Sequence, residues 1–278
     1  MPRVRELLTC HREHAVRERR RREECEQGEA HGWTIETSLV GRMKLTCALL
    51  ACLALIPAAS ATGASTALAQ CQPTLANQLA DTGSATQLVT VASLRSSSQT
   101  GALRAWEKSG ECWAQVAGPW PAWLGIRGIS EHKREGDLKT PSGAFGIQPV
   151  MYGVAPNPGV RYRYHRIVCG DWWVEDSRSP FYNRFHHVRC GAKPPFRVTS
   201  EDMSKSPTAY RHLAVIDYNT HPIVPGRGSG IFLHVSHGNP TLGCVSVALP
   251  QLLKLLRWFD PAGHPLIVIG TRATIRGF

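Results

Sequence analysis

Two side chains between Ile231 and Val247 offer chemistry: His234 at the end of the apolar run Ile231-Phe232-Leu233, and Cys244 directly behind Gly243. A thiol attacks carbonyl carbon as the thiolate, so a neighbouring imidazole that takes the proton is what such a reaction requires. With no side chain at 243, a carbonyl oxygen can approach the backbone amides of residues 243 and 244, which would form an oxyanion hole. His237 is the alternative base. Ser236, Thr241 and Ser246 flank the pair and are the candidate substrate contacts. The competing reading is a buried free cysteine beside a core histidine.

The other cysteines bear on that choice. Of nine, Cys10, Cys25, Cys47 and Cys52 precede residue 70, which leaves Cys71, Cys112, Cys169, Cys190 and Cys244. In an oxidising compartment four of this odd set should pair. Sequence order suggests Cys71 with Cys112 and Cys169 with Cys190, and makes Cys244 the leftover thiol. No Cys-x-x-Cys or spaced His and Cys pair supports a metal site, and neither a metal nor an organic cofactor is expected.

The elements that must position these residues read as mostly β. Short strands are expected at 89–91, 114–116, 123–126, 143–149, 171–175, 213–218, 230–235, 245–248 and 265–270, with Gly and Pro between most of them. One helix is expected over Pro250–Phe259, where Leu249, Leu252, Leu253 and Leu256 share a face, Pro250 suits the first turn and Pro261 ends it. The aromatic, basic stretch 151–195 reads as an elaborated loop pinned by the Cys169–Cys190 bridge. Within it, His165 and Asn183 satisfy backbone groups or line a cover over the site. Trp172 and Trp173 read as core, and His186 and His187 beside Arg184 as an exposed loop. Asp137 and Lys139 read as turn-forming.

The apolar run Leu45–Ile56 follows Arg42, Met43 and Lys44 and precedes the small-residue stretch that ends at Ala69. Such a pattern is a secretory signal peptide over 43–69, too short for a membrane anchor, so no stable membrane span is expected. Residues 1–42, with alternating blocks of Arg and Glu, read as a mis-assigned start or a disordered extension. Residues 70–118 form a small amino-terminal β segment continuous with a catalytic domain over 119–278. An exported protein, extracellular or in the cell-wall space, follows. Its net charge of +11 suits an anionic partner. No aromatic and basic motif favours nucleic acid.

Two separated motifs resemble the L,D-transpeptidases of the YkuD type. One is Phe232-Leu233-His234 followed by Thr241-Leu242-Gly243-Cys244. The other is Thr140-Pro141-Ser142-Gly143-Ala144-Phe145, preceded by Lys133-Arg134-Glu135-Gly136-Asp137. The resemblance covers roughly 120–271 and is closest to the extracytoplasmic branch of high-GC actinobacteria. It implies a β-sandwich or barrel-like catalytic domain with one or two short helices and the long disulfide-pinned insertion. It further implies acyl transfer on peptidoglycan stem peptides, with Cys244 as nucleophile, His234 as base and the amides of Gly243 and Cys244 holding the oxyanion. An amine acceptor gives a 3-to-3 cross-link, and water gives L,D-carboxypeptidase activity. A monomer is expected.

Departures are visible too. Leu242 stands where the family usually has histidine, Ser246 where it usually has Arg or Asn, and the loop between His234 and Cys244 is short. A non-catalytic cell-wall-binding protein on the same fold is the alternative from another class. A secreted cysteine peptidase of another fold ranks third.

Overall fold

The computed structural model describes residues 71–278 apart from 198 and 199. The stretches read as an extension, 1–42, and as a signal peptide, 43–69, lie outside the described residues. Strands β1 (Gln87–Ser93), β2 (Thr100–Ser109) and β3 (Cys112–Trp123) form an antiparallel meander. Sequence pattern gives β2 no strand, because its Ala, Arg, Glu and Lys are poor strand formers. Pairing along both of its edges makes it one. The division drawn at residue 118 falls inside β3, so the amino-terminal segment and the remainder share one sheet.

The chain continues through β4 (Ile129–Ser130), β5 (Thr140–Pro141), β6 (Gly143–Gly153), β7 (Arg163–Arg166), β8 (Asp171–Trp173), β9 (Phe185–His187) and β10 (Glu201–Asp202). It ends with β11 (Leu213–Ile216), β12 (Phe232–Val235), β13 (Val245–Val247), helix α1 (Leu249–Trp258) and β14 (Leu266–Thr271). The main sheet runs β11-β12-β13-β3-β2-β1-β14-β6-β7, and β6 also pairs with β11. That extra pairing closes the first eight strands into a barrel and leaves β7 attached outside. Closure is possible because β6 is long: Gly143–Gly146 pairs with β14, and Met151 and Tyr152 pair with β11.

Strand alternation divides the side chains between inside and outside. Val89, Val91, Leu103, Leu233, Val235, Val245, Val247, Ile267 and Ile269 form the interior, packed with Leu252, Leu255, Leu256 and Phe259 from α1 and its end. Gln251 accepts from the Ala248 amide at the start of α1, Pro250 occupies its first turn, and Phe259 turns extended ahead of Pro261. The helix therefore lies within one residue of expectation. On one outer face Leu88, Ala92, Trp106 and Val268 pack with Ala76 and Ile275. On another, Leu213, Val215 and Phe232 are covered by Ile167, Trp173, Met203 and Tyr210.

One expectation needs correcting. Residues 123–126 are not a strand: β3 stops at Trp123, and Gly125 makes isolated bridges to Gly128 and Thr241. The stretch 151–195 is loop over most of its length, as expected, and also carries short strands, of which β8 pairs with β9 and with the later β10 in a second sheet. Bridges join Cys71 to Cys112 and Cys169 to Cys190. Among the described residues Cys244 is the free cysteine, and no helix is long and apolar enough to cross a membrane.

Leu252 is fully buried where α1 meets the barrel interior. Leu252→Ala should cost about 2–5 kcal/mol, read from urea unfolding; a loss under about 1 kcal/mol would mean that the helix is not part of the core.

Candidate active site

Strand β12 runs parallel to β13, with Leu233 opposite Val245 and His234 opposite Ser246. Since the valines and Leu233 point into the barrel, alternation sends Phe232, His234, Ser246 and the preceding Cys244 to the outer face. There Cys244 packs against the cluster of Phe232, Trp173, Tyr210 and Met203. One pairing thus brings the nucleophile and base candidates to the same face, beneath the insertion.

The turn that carries Cys244 is fastened at several points. The Cys244 carbonyl accepts hydroxyl hydrogen bonds from Thr140 at 3.0 Å and from Thr241 at 2.7 Å. Thr140 Oγ1 in turn accepts from the Gly125 amide, and Thr241 bonds through its backbone to Leu124 and Ile126. Gly125 has to be glycine, because a Cβ there would stand 2.5 Å from the Leu138 carbonyl oxygen. The Thr-Pro motif therefore acts on the nucleophile turn through Thr140.

His234 is buried, and its Nδ1 lies 2.9 Å from the carbonyl oxygen of Val235. A carbonyl can only accept, so Nδ1 carries the hydrogen and Nε2 keeps the lone pair. Burial, aided by nearby His237, pushes this imidazole down to about 4 against the Val235 bond, so it rests neutral. The half-buried Cys244 donates to the Gly230 carbonyl at 3.3 Å and accepts from the Phe232 amide at 3.4 Å. Among the described residues no hydrogen bond joins its sulfur to either His234 or His237. Burial first, then the carboxylates of Glu201 and Glu175, push the thiol up to about 12, against the Phe232 amide and Lys133.

Glu175 and Glu201 carried no signal in the sequence, and Lys133 and Glu135 stood out only as part of the stretch ahead of the Thr-Pro motif. The Glu175 carboxylate reaches so near Gly230 that a Cβ on that glycine would stand 2.7 Å from it. Burial, with Glu201 and Glu135, pushes Glu175 up to about 8. Glu201 accepts from Tyr210 and Ser206, and Glu135 accepts from Tyr182 and Ser229. Lys133 is buried beside Gly243, its Nζ 3.4 Å from where a Cβ would stand and 2.8 Å from Asp137. Asp137 also accepts from the Arg134 and Lys139 amides, which confirms it as turn-forming. These groups sit far apart in sequence, and only the insertion's packing on β12 gathers them.

The remaining candidates separate. Gly243 adopts φ of +149°, which favours glycine, yet its amide donates to Thr241 Oγ1 at 3.1 Å instead of facing an incoming oxygen. Of the expected pair, the Cys244 amide is left for that role. Thr241 faces this turn rather than substrate, and Ser246 is 1% exposed. Ser236 accepts from Gly238 within an exposed loop that also carries His237. Asn183 is satisfied by Trp173, Gly230, Tyr218 and Asn219, tying the insertion to the segments just before β12 and just after β11. Trp173 is core, and His165 and His187 both bond to Asp171.

Comparison with known families matches residues 101–275 to YkuD, the L,D-transpeptidase catalytic domain. The chain belongs to the YkuD family. Among solved structures it is similar to the helical cell shape determining protein Pgp2 from Campylobacter jejuni, at 12% identity and a TM-score of 0.35, over 69% of this chain and 50% of that one. The chain thus spans half the length of that protein. No curated protein matches it. Within this YkuD domain the departure at Leu242 is exposed to solvent by 75%, whereas that at Ser246 lies buried. The YkuD match begins in β2, ahead of the boundary at 119, because β2 and β3 are barrel strands.

A thiol held up at about 12 is protonated in the resting protein. Alkylation of Cys244 by iodoacetamide should accelerate continuously from about pH 7 to about pH 10, while a plateau near neutrality would show a preformed thiolate. Glu175 binds its proton more tightly folded than unfolded, so stability should fall as pH rises from its ordinary 4.5 towards about 8. Glu175→Gln should remove this fall from a series of urea midpoints; an identical pH slope in the variant would refute the assignment.

Proposed function

We propose that the protein is a cysteine acyltransferase acting on peptidoglycan stem peptides, an L,D-transpeptidase or, with water as acceptor, an L,D-carboxypeptidase. The carrying observation is the parallel register that puts free Cys244 and the Nε2 lone pair of His234 on one face. YkuD membership supplies the substrate class.

In this reading the thiol leaves the Gly230 carbonyl and gives its proton to His234 Nε2 as sulfur bonds to the carbonyl carbon of the third stem residue. The Cys244 amide donates to the oxygen that becomes negative. The carbon–nitrogen bond to the terminal D-alanine then breaks, and the imidazolium returns its proton to the departing amine. A side-chain amine of a second stem, or water, attacks the thioester and passes its proton through His234 to the released sulfur. Cys244 and His234 both rest neutral, so the ion pair forms only during the reaction. His234 is favoured over His237 because its Nδ1 is anchored and it sits on the Cys244 face, whereas His237 is exposed in the loop.

Incubation with a disaccharide tetrapeptide should give an acyl adduct by intact mass, followed by cross-linked dimer or shortened stem. Cys244→Ala should abolish the adduct, and His234→Ala should slow its formation by about 10²–10⁴-fold. Binding without adduct or turnover would favour the non-catalytic wall-binding reading.

A further inference from the structure

The insertion sorts its charges by exposure. Every lysine and arginine from Arg161 to Arg211 is exposed, whereas none of the five carboxylates in that span is. Asp171 accepts from His165, His187 and the Val168 amide; Asp176 from the Arg178 and Arg197 amides; Asp202 from Ser204. Glu201 is bonded to Tyr210, and Glu175 lies beside Gly230. The fully exposed charge of this span is therefore all positive.

Part of that charge is continuous across several elements. Arg163 and Arg166 lie on β7, the outermost strand of the main sheet, and Arg166 is in register with Gly153. Gly153 packs against the Arg211 carbonyl. Arg211 and Arg257 of α1 both bear on buried His212, and Arg166 bears on Tyr164, which is hydrogen-bonded to His212. The Cys169–Cys190 bridge holds Arg189 close to the end of β7. Among the described residues none of these five arginines has a carboxylate within salt-bridge distance. Arg166 and Arg257 each direct Nε to a backbone carbonyl, of Val154 and Pro158. That anchors each guanidinium by one nitrogen and leaves its other two for an external anion.

We propose that this arginine edge binds a flexible phosphate polymer without bases. A phosphodiester keeps its charge at every working pH and presents two oxygens to the guanidinium fork. No Phe, Tyr or Trp side chain from Tyr162 to Tyr210 is fully exposed, so the edge offers no open platform of these rings on which bases would stack. This proposal does not depend on the chemistry proposed for Cys244.

The test is binding of the full chain to long-chain inorganic polyphosphate across a salt series, with poly-L-glutamate and a single-stranded oligodeoxynucleotide of matched charge as comparisons. Five phosphate contacts should weaken binding by roughly a hundredfold between about 50 and about 200 mM salt. Arg166→Gln/Arg211→Gln/Arg257→Gln should lower the salt slope by about 2. Arg95→Gln/Lys108→Gln/Arg272→Gln, which removes the same charge elsewhere, should leave it nearly unchanged. Equal losses in both variants would reduce the effect to net charge and overturn the proposal. Oligonucleotide or poly-L-glutamate bound as tightly as polyphosphate would overturn the assignment to a phosphate polymer. A far-ultraviolet circular dichroism spectrum of each variant identical to the parent shows that the fold is not what changed.

Discussion

The parallel pairing of β12 with β13 is the constraint on which the site depends. Side chains alternate strictly across a strand, so the register that sets Leu233 beside Val245 in the barrel also fixes His234, Ser246 and Cys244 on the other side. A slip of one residue would bury the imidazole in the core and turn a valine to the site. Hydrophobic burial of four strand positions therefore holds Cys244 and His234 in place. The two threonine hydroxyls on the Cys244 carbonyl fix the turn that follows from it.

Around that pair the electrostatics oppose resting ionisation. Burial lowers His234 and raises Cys244, and the Glu175 and Glu201 carboxylates raise the thiol further. Lys133 is the one nearby cation acting the other way on the sulfur, and it is shared with Asp137. A thiol kept protonated is protected from oxidation, since the thiolate is the reactive form. The insertion and the residues just after it supply the acids, Glu175 and Glu201, while the basic residues of the same span face solvent.

How legible this was in the sequence depended on the kind of signal. Strands β1, β6, β11, β12 and β14 and helix α1 stood out because each has an apolar periodicity of its own or clear stops. β2 did not, because its strand state comes from its two neighbours. The two short strands flanking β8 did not, because two or three residues hold no period. Cys244, His234 and Gly243 were visible through chemistry and spacing. Glu175 and Glu201 were not, and Lys133 only as part of a motif with no role at Cys244, since a charged residue in a loop reads as solvated until another element covers it.

By itself, then, the sequence determined the mostly β class, the leftover thiol and the histidine beside it, because residue type and short spacing encode those locally. Tertiary structure decided that the sheet closes through β6 and β11, that the Gly243 amide is spent on Thr241, and that two carboxylates, Glu175 and Glu201, bear on Cys244. It also sorted the insertion's charges, basic groups outward and acidic groups inward. Such features arise from contacts between residues far apart in the chain, where burial and proximity, rather than identity, set what a side chain does.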